Sequence, residues 1–182
     1  MKIFLVRHGE ADANLEELPL TEKGVVQAKA VAKELMKYTF SKAYSSDILR
    51  AKDTAKEYLK LNPGIEYIED QKLQEIYRVV IGGPVREGTP PEREEVNRKR
   101  GDNIFNELLK EEKDVVVFCH GNIIRYFINK IFDSKKNLWN TVIISNGSIS
   151  ILEFKEGKLQ VNLVNGVEHL GEKEAEGGVY LE

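Results

Sequence analysis

Apolar positions along this chain follow two rhythms in turn. Residues 2–7 (KIFLVR) and 114–119 (DVVVFC) contain short unbroken apolar runs, the length of strands buried on both faces. Over 22–38, by contrast, Val25, Ala28, Ala32, Leu35 and Met36 recur at helical spacing. A short strand is predicted at 42–45 (KAYS), followed by a helix over 45–60 (SSDILRAKDTAKEYLK). Ser46 or Asp47 stands near that helix's N-cap, with Ile48, Ala51, Ala55, Tyr58 and Leu59 on one face. "NPG" at 62–64 predicts a turn, and 65–68 (IEYI) another strand. Residues 76–91 carry Gly82, Gly83, Pro84, Gly88, Pro90 and Pro91, the composition of a long irregular loop of the kind that often binds ligands.

A charged helix is expected over 92–112, closing on Phe105, Leu108 and Leu109, and a short one over 122–132. Strands are expected at 141–144, 148–154 and 159–164, the last two joined as a hairpin by "KEGK" (155–158). Strand-helix alternation predicts an α/β layered fold with a mostly parallel sheet. No linker divides the 182 residues, which predicts one domain, with 166–182 as a Gly- and Glu-rich tail that is mobile or drapes over the body.

Composition narrows the function. The net charge is −3 with both signs interleaved, which argues against a general nucleic-acid binder or an acidic-membrane binder. The apolar stretch in "MKIFLVRHGE" is too short for a signal segment or a membrane span, and the single cysteine, Cys119, sits in an apolar run as a small core residue. A soluble, cytoplasmic protein is expected.

Two of the three histidines end apolar runs and precede glycine: Arg7-His8-Gly9 and Cys119-His120-Gly121. In open α/β sheets ligands bind beyond the carboxyl ends of strands, so His8 and His120 can meet above the sheet. Gly9 and Gly121 would let backbone approach a ligand, and Arg7 and Arg50 are planar forks suited to phosphate. Three readings compete. An isolated histidine most often satisfies core polar groups, but the paired context opposes that here. A zinc site lacks both HExxH and a cysteine pair, and an adjacent arginine repels a cation. The third reading is covalent phosphoryl transfer with one imidazole as nucleophile.

At these residues the chain resembles the histidine phosphatase superfamily. Arg7-His8-Gly9, extended by Glu10 and Asn14, is similar to the family's N-terminal Arg-His-Gly. "PLTEKGVVQAKAVAKEL" (19–35) resembles its Leu-Thr-x-x-Gly-x-x-Gln-Ala helix, and "YSSDILRAKDTA" (44–55) its Ser-Ser-x-x-x-Arg-Ala-x-x-Thr-Ala stretch. "VVVFCHGNIIRYF" (115–127) resembles the second strand-His-Gly, and "SNGSISIL" (145–152) the strand after it. Within the superfamily, "CHGNIIRYF" and "NGSISIL" are similar to the branch of protein Ser/Thr phosphatases. The resemblance implies a three-layer α/β/α sandwich, phosphoglycerate-mutase-like, and a metal-independent phosphomonoesterase of the histidine phosphatase type.

By the same resemblance His8 would attack phosphorus, with Arg7, Arg50 and a protonated His120 holding the equatorial oxygens and keeping His8 deprotonated. No cofactor is implied. The family takes its proton donor from a Leu-x-Glu segment; "KLQEI" (72–76) offers Glu75, and Glu87 in "VREGTPP" is the rival. Asn14 and Thr21 either line the pocket or cap local structure, while Gly121 and Asn122 offer amides to phosphate. Glu10 orders its loop. Arg78 and Arg86 either select an anionic substrate or are simply solvated. "RKR" (98–100) is read as exposed helix charge, His169 as packing near the tail, and Trp139 as core or half-buried surface. Cofactor-dependent phosphoglycerate mutases are longer, so phosphatase is the stronger reading, mutase the alternative, and a non-catalytic phospholigand binder third. The expected substrate is a small phosphorylated metabolite or a phosphoprotein, and the strand edges near 148–164 would permit a homodimer.

Overall fold

A computed structural model describes residues 1–12, 18–76, 91–132 and 141–171 of the chain. The elements run β1 (Lys2–Arg7), α1 (Glu22–Leu35), β2 (Lys42–Ser45), α2 (Leu49–Leu61), β3 (Glu66–Glu69), α3 (Pro91–Leu108), β4 (Val115–Cys119), α4 (Gly121–Ile131), β5 (Ile149–Lys155) and β6 (Lys158–Gly166). The six strands form one sheet in the order β3-β2-β4-β1-β5-β6. β3, β2, β4 and β1 pair in parallel, while β5 and β6 add an antiparallel edge.

The two unbroken apolar runs become the two central strands, covered on both faces along their length. Alternate residues point to opposite sides. Ile3, Leu5, Val115, Val117 and Cys119 pack with Ile104, Phe105 and Leu108 of α3 and Ile123, Ile124 and Phe127 of α4. Phe4, Val6, Val116 and Phe118 pack with Val31, Ala32 and Leu35 of α1 and Ala55 and Tyr58 of α2. Two cores on opposite faces make the three layers. β1 and β4 are in register, with Arg7 beside Cys119, so the residue after each emerges at the same edge. That register brings His8 and His120 together.

Two expectations are corrected. Residues 141–144 are not a strand. Their carbonyls bond arginine side chains instead of a neighbouring strand: Arg125 Nε donates to Val142 O (2.7 Å) and Arg7 Nη1 to Ile144 O (2.5 Å). The helix expected from 45 begins at Leu49, with Ile48 as an N-cap that makes no side-chain cap bond. Ser46 and Asp47 are turned elsewhere, as the site shows. No helix among the described residues is long and apolar enough to cross a membrane.

Candidate active site

β1 delivers Arg7 and then His8, a residue only 6% exposed. His8 Nδ1 lies 2.7 Å from the carbonyl oxygen of Gly9, which can only accept, so Nδ1 carries the proton. Nε2 therefore keeps its lone pair, and Arg50 Nε, from the first turn of α2, donates to it across 3.0 Å. Burial lowers the His8 pKa to about 3, with Arg50 and Arg7 adding to the effect and the Gly9 bond opposing it. The result is a neutral imidazole whose bare nitrogen faces a guanidinium.

The backbone behind His8 is held from three sides. Gly147 N donates to the carbonyls of Arg7 and His8 (3.1 Å each), and Asn146 Nδ2 to those of His8 (3.1 Å) and Gly9 (3.2 Å). Gly9 N donates to Thr54 Oγ1 (3.0 Å), which itself donates to Arg50 O (2.8 Å). His169 Nε2 lies 2.9 Å from Gly147 O, a structural contact to the same turn. Sequence reasoning misses Asn146 and Thr54 as site supports, although both lie in the segments that carry the resemblance.

Gly9 has a different task from the one expected. A Cβ there would meet Gly24 O at 2.4 Å, and a Cβ on Gly24 would meet Glu10 O at 2.0 Å. The close approach is thus to the start of α1, where two backbones cross with no room for side chains. Thr21 is the N-cap of α1: its Oγ1 accepts from Gly24 N (3.0 Å) and donates to Glu10 Oε1 (2.9 Å). Thr21 thus caps α1, and its bond to Glu10 orders the loop.

His120 follows β4 and is fully buried; its ring centroid is 5.1 Å from that of His8, edge to face. Ser46 Oγ lies 2.9 Å from His120 Nε2, which is where the expected helix cap is used instead. Nδ1 of His120 is buried and has no hydrogen-bond partner among the described residues. Burial, followed by His8, Arg50, Arg7 and Arg100, holds the His120 pKa well below the usual histidine value. Burial and the surrounding positive charge thus favour the neutral form of His120, against the expected protonated imidazole.

Glu75 follows a short 3-10 turn (Gln71–Leu73). Its Oε1 accepts from Ile76 N and from Asn122 N, each at 3.0 Å. Asn122 is in the first turn of α4, so its amide is held by Glu75 and is not offered to phosphate as expected. Burial raises the Glu75 pKa, outweighing the two amides and the nearby Arg7 and Arg50. Gly121 opens α4 beside Arg7, whose Nε is 3.4 Å from where a Cβ would sit. Arg7, His8, Arg50, Glu75 and His120 thus converge at one end of the sheet. Cys119 is buried in the core, and burial pushes its thiol up. Among the described residues no three His, Cys, Asp or Glu side chains gather as a metal cage would need. Asn14, Arg78, Arg86, Glu87, Trp139 and the tail beyond Gly171 lie outside the described residues.

Two buried imidazoles with lowered pKa values, two guanidiniums and a carboxyl with a raised pKa are equipped for phosphoryl transfer through nitrogen. Residues 3–87 and 83–166 match the histidine phosphatase superfamily (branch 1), and the chain belongs to that family. It is 27% identical to a probable phosphatase of Schizosaccharomyces pombe, over 96% of this chain and 97% of the relative. It is 31% identical to 2,3-bisphosphoglycerate-dependent phosphoglycerate mutase 2 of Gloeobacter violaceus, over 71% of this chain and 74% of the relative. Among solved structures, a mutant phosphoserine phosphatase of Entamoeba histolytica, in complex with phosphoserine, shares the fold. Its TM-score is 0.74 at 22% identity, covering 93% of this chain and 98% of the other.

Proposed function

We propose that the chain is a metal-independent phosphomonoesterase that works through a phosphohistidine on His8. The observation that carries this reading is the His8 tautomer: Nδ1–H on the Gly9 carbonyl and a bare Nε2 facing Arg50. In the first step the Nε2 lone pair forms a bond to phosphorus as the ester P–O bond breaks. Glu75, whose carboxyl burial pushes towards the protonated form, gives its proton to the departing alkoxide. In the second step water attacks phosphorus, its proton returns to Glu75, and the P–N electron pair returns to Nε2. The products are an alcohol and inorganic phosphate. Arg7, Arg50 and His120 bind the phosphoryl oxygens and supply the positive charge that a metal would otherwise bring. A phosphate dianion beside His120 favours its protonated form, opposing the effect of burial and of the neighbouring cations.

The substrate is a small phosphorylated metabolite or a phosphoprotein, and the setting is cytoplasmic, in keeping with a single, buried cysteine. The likeness to a phosphoglycerate mutase supports a second reading, in which the phosphoryl group passes back to an acceptor and not to water. One experiment tests both. The purified chain, with a chelator present, is given an aryl phosphate alone and with added phosphoglycerate. Release of inorganic phosphate that the acceptor leaves unchanged is expected. Transfer outrunning hydrolysis favours the mutase, and activity lost on chelation overturns metal independence.

A further inference from the structure

The helix charge at 98–100 contains one residue that is not simply solvated. Arg100 Nη1 donates to the carbonyls of Gln74 (2.7 Å) and Lys72 (2.9 Å), with a longer contact to that of Gln71 (3.4 Å). Its Nη2 donates to the carbonyl of Glu75 and to Oδ1 of Asn97, both at 3.0 Å. A rigid guanidinium fork can gather this many acceptors at once; an ammonium cannot. On its other side the same segment is tied to the β2–α2 turn, where Gln74 Nε2 donates to both carboxylate oxygens of Asp47 (2.9 and 3.0 Å). Asp47 follows Ser46, which holds His120.

The segment so pinned has little regular structure of its own. It is a single 3-10 turn, capped by Asp70 accepting from Lys72 N (2.8 Å). What it delivers to the site is the Glu75 carboxyl, placed against the first turn of α4. A carboxyl that must meet a leaving oxygen needs its carrier fixed to a fraction of an ångström, and short loops do not supply that rigidity unaided.

We propose that Arg100 is a positioning residue for Glu75: its clamp on the carbonyls of residues 72, 74 and 75 holds the carboxyl where it can protonate the leaving group. The inference rests on the reading of Glu75 as proton donor. Arg100 acts through the 71–75 segment. Its removal lets the 71–75 segment relax, and the cost falls on the step that needs the proton.

The test compares Arg100→Met and Arg100→Lys with Glu75→Gln on two substrates, an aryl phosphate whose phenolate departs unprotonated and an alkyl phosphate whose alkoxide needs a proton. In kcat/KM, which reports formation of the phosphoenzyme and not its hydrolysis, Arg100→Met is expected to lose ~10–100-fold on the alkyl ester and under about 3-fold on the aryl ester. Arg100→Lys, a point charge in place of a fork, shows the same selectivity in weaker form and decides the matter if the methionine variant does not fold. Arg100→Met added to Glu75→Gln produces no further loss on the alkyl ester. Equal losses on both esters, or losses that multiply in the double variant, assign Arg100 a merely structural role and overturn the inference. A selective Glu75→Gln beside unselective Arg100 variants overturns the inference alone; an unselective Glu75→Gln overturns the proton-donor reading, and the inference with it.

Discussion

β1 and β4 lie side by side in register, and each is followed by His-Gly, yet the two ends are built differently. After β1 the chain enters a loop. Its Gly9 is pressed on the backbone of Gly24, and its histidine is fixed through both nitrogens, by a carbonyl and a guanidinium. After β4 the chain enters α4 at once. Its histidine is fixed through Nε2 by Ser46, and Gly121 faces an arginine side chain instead of backbone. The first end specifies a tautomer and exposes a lone pair. The second leaves a buried Nδ1 with no partner among the described residues, a group that a phosphoryl oxygen can satisfy. The same dipeptide supports two roles because the element that follows it differs.

The sharpest way to break this comparison is to remove each imidazole. His8→Ala is expected to lower kcat/KM by roughly 10⁴-fold or more, since no nucleophile remains. His120→Ala costs ~10²–10³-fold, the loss of one charge-stabilising donor. Equal losses would mean that the two ends are not functionally distinct.

The glycines offer a second, smaller contrast, read by thermal or urea unfolding. Gly24→Ala lies within α1, where alanine normally gains about 1 kcal/mol of helix propensity. Here the 2.0 Å approach to Glu10 O reverses the sign, and a net loss of ~1–3 kcal/mol is expected. Gly121→Ala meets its nearest atom at 3.4 Å, on a side chain, and stays within about 1 kcal/mol of wild type.

The pH dependence of stability separates the groups further. The folded-state pKa values of His8 and His120 lie below the ordinary 6.5, so below that pH the unfolded chain binds more protons and stability falls. For His8 the loss runs from pH 6.5 down to about 3, at about 1.4 kcal/mol per pH unit. Glu75 acts oppositely. Its folded pKa is raised above 4.5, so its contribution is present below that pH and lost as pH rises through the raised value. Urea unfolding across this range should be less steeply pH-dependent in His8→Asn; an unchanged slope would mean that His8 is not held neutral.

Much of this is legible in the chain, and the exceptions have physical causes. Strands buried on both faces are unbroken apolar runs, so β1 and β4 stand out, and the meeting of the histidines at their ends follows from topology. Residues 141–144 look like a strand because Val142 and Ile144 are indeed buried, but arginine side chains satisfy their carbonyls. Ser46 has the residue type of a helix cap, and nothing local to it reveals that a histidine 74 positions away takes its hydroxyl. Arg100 is hidden by its neighbours: in a run of three cations on a helix, sequence does not say which one turns inward. Gly9 reads as space for a ligand because the partner it needs, Gly24, lies across a loop.

The central claim is that His8 becomes phosphorylated, and trapping the intermediate tests it most directly. The enzyme is mixed with a radiolabelled phosphomonoester, quenched within one turnover, and the label is located by peptide mass spectrometry. Phosphate is expected on His8, stable in alkali, labile in acid and absent from His8→Ala. Label on Ser46 or any other residue, or full turnover in His8→Ala, would contradict it.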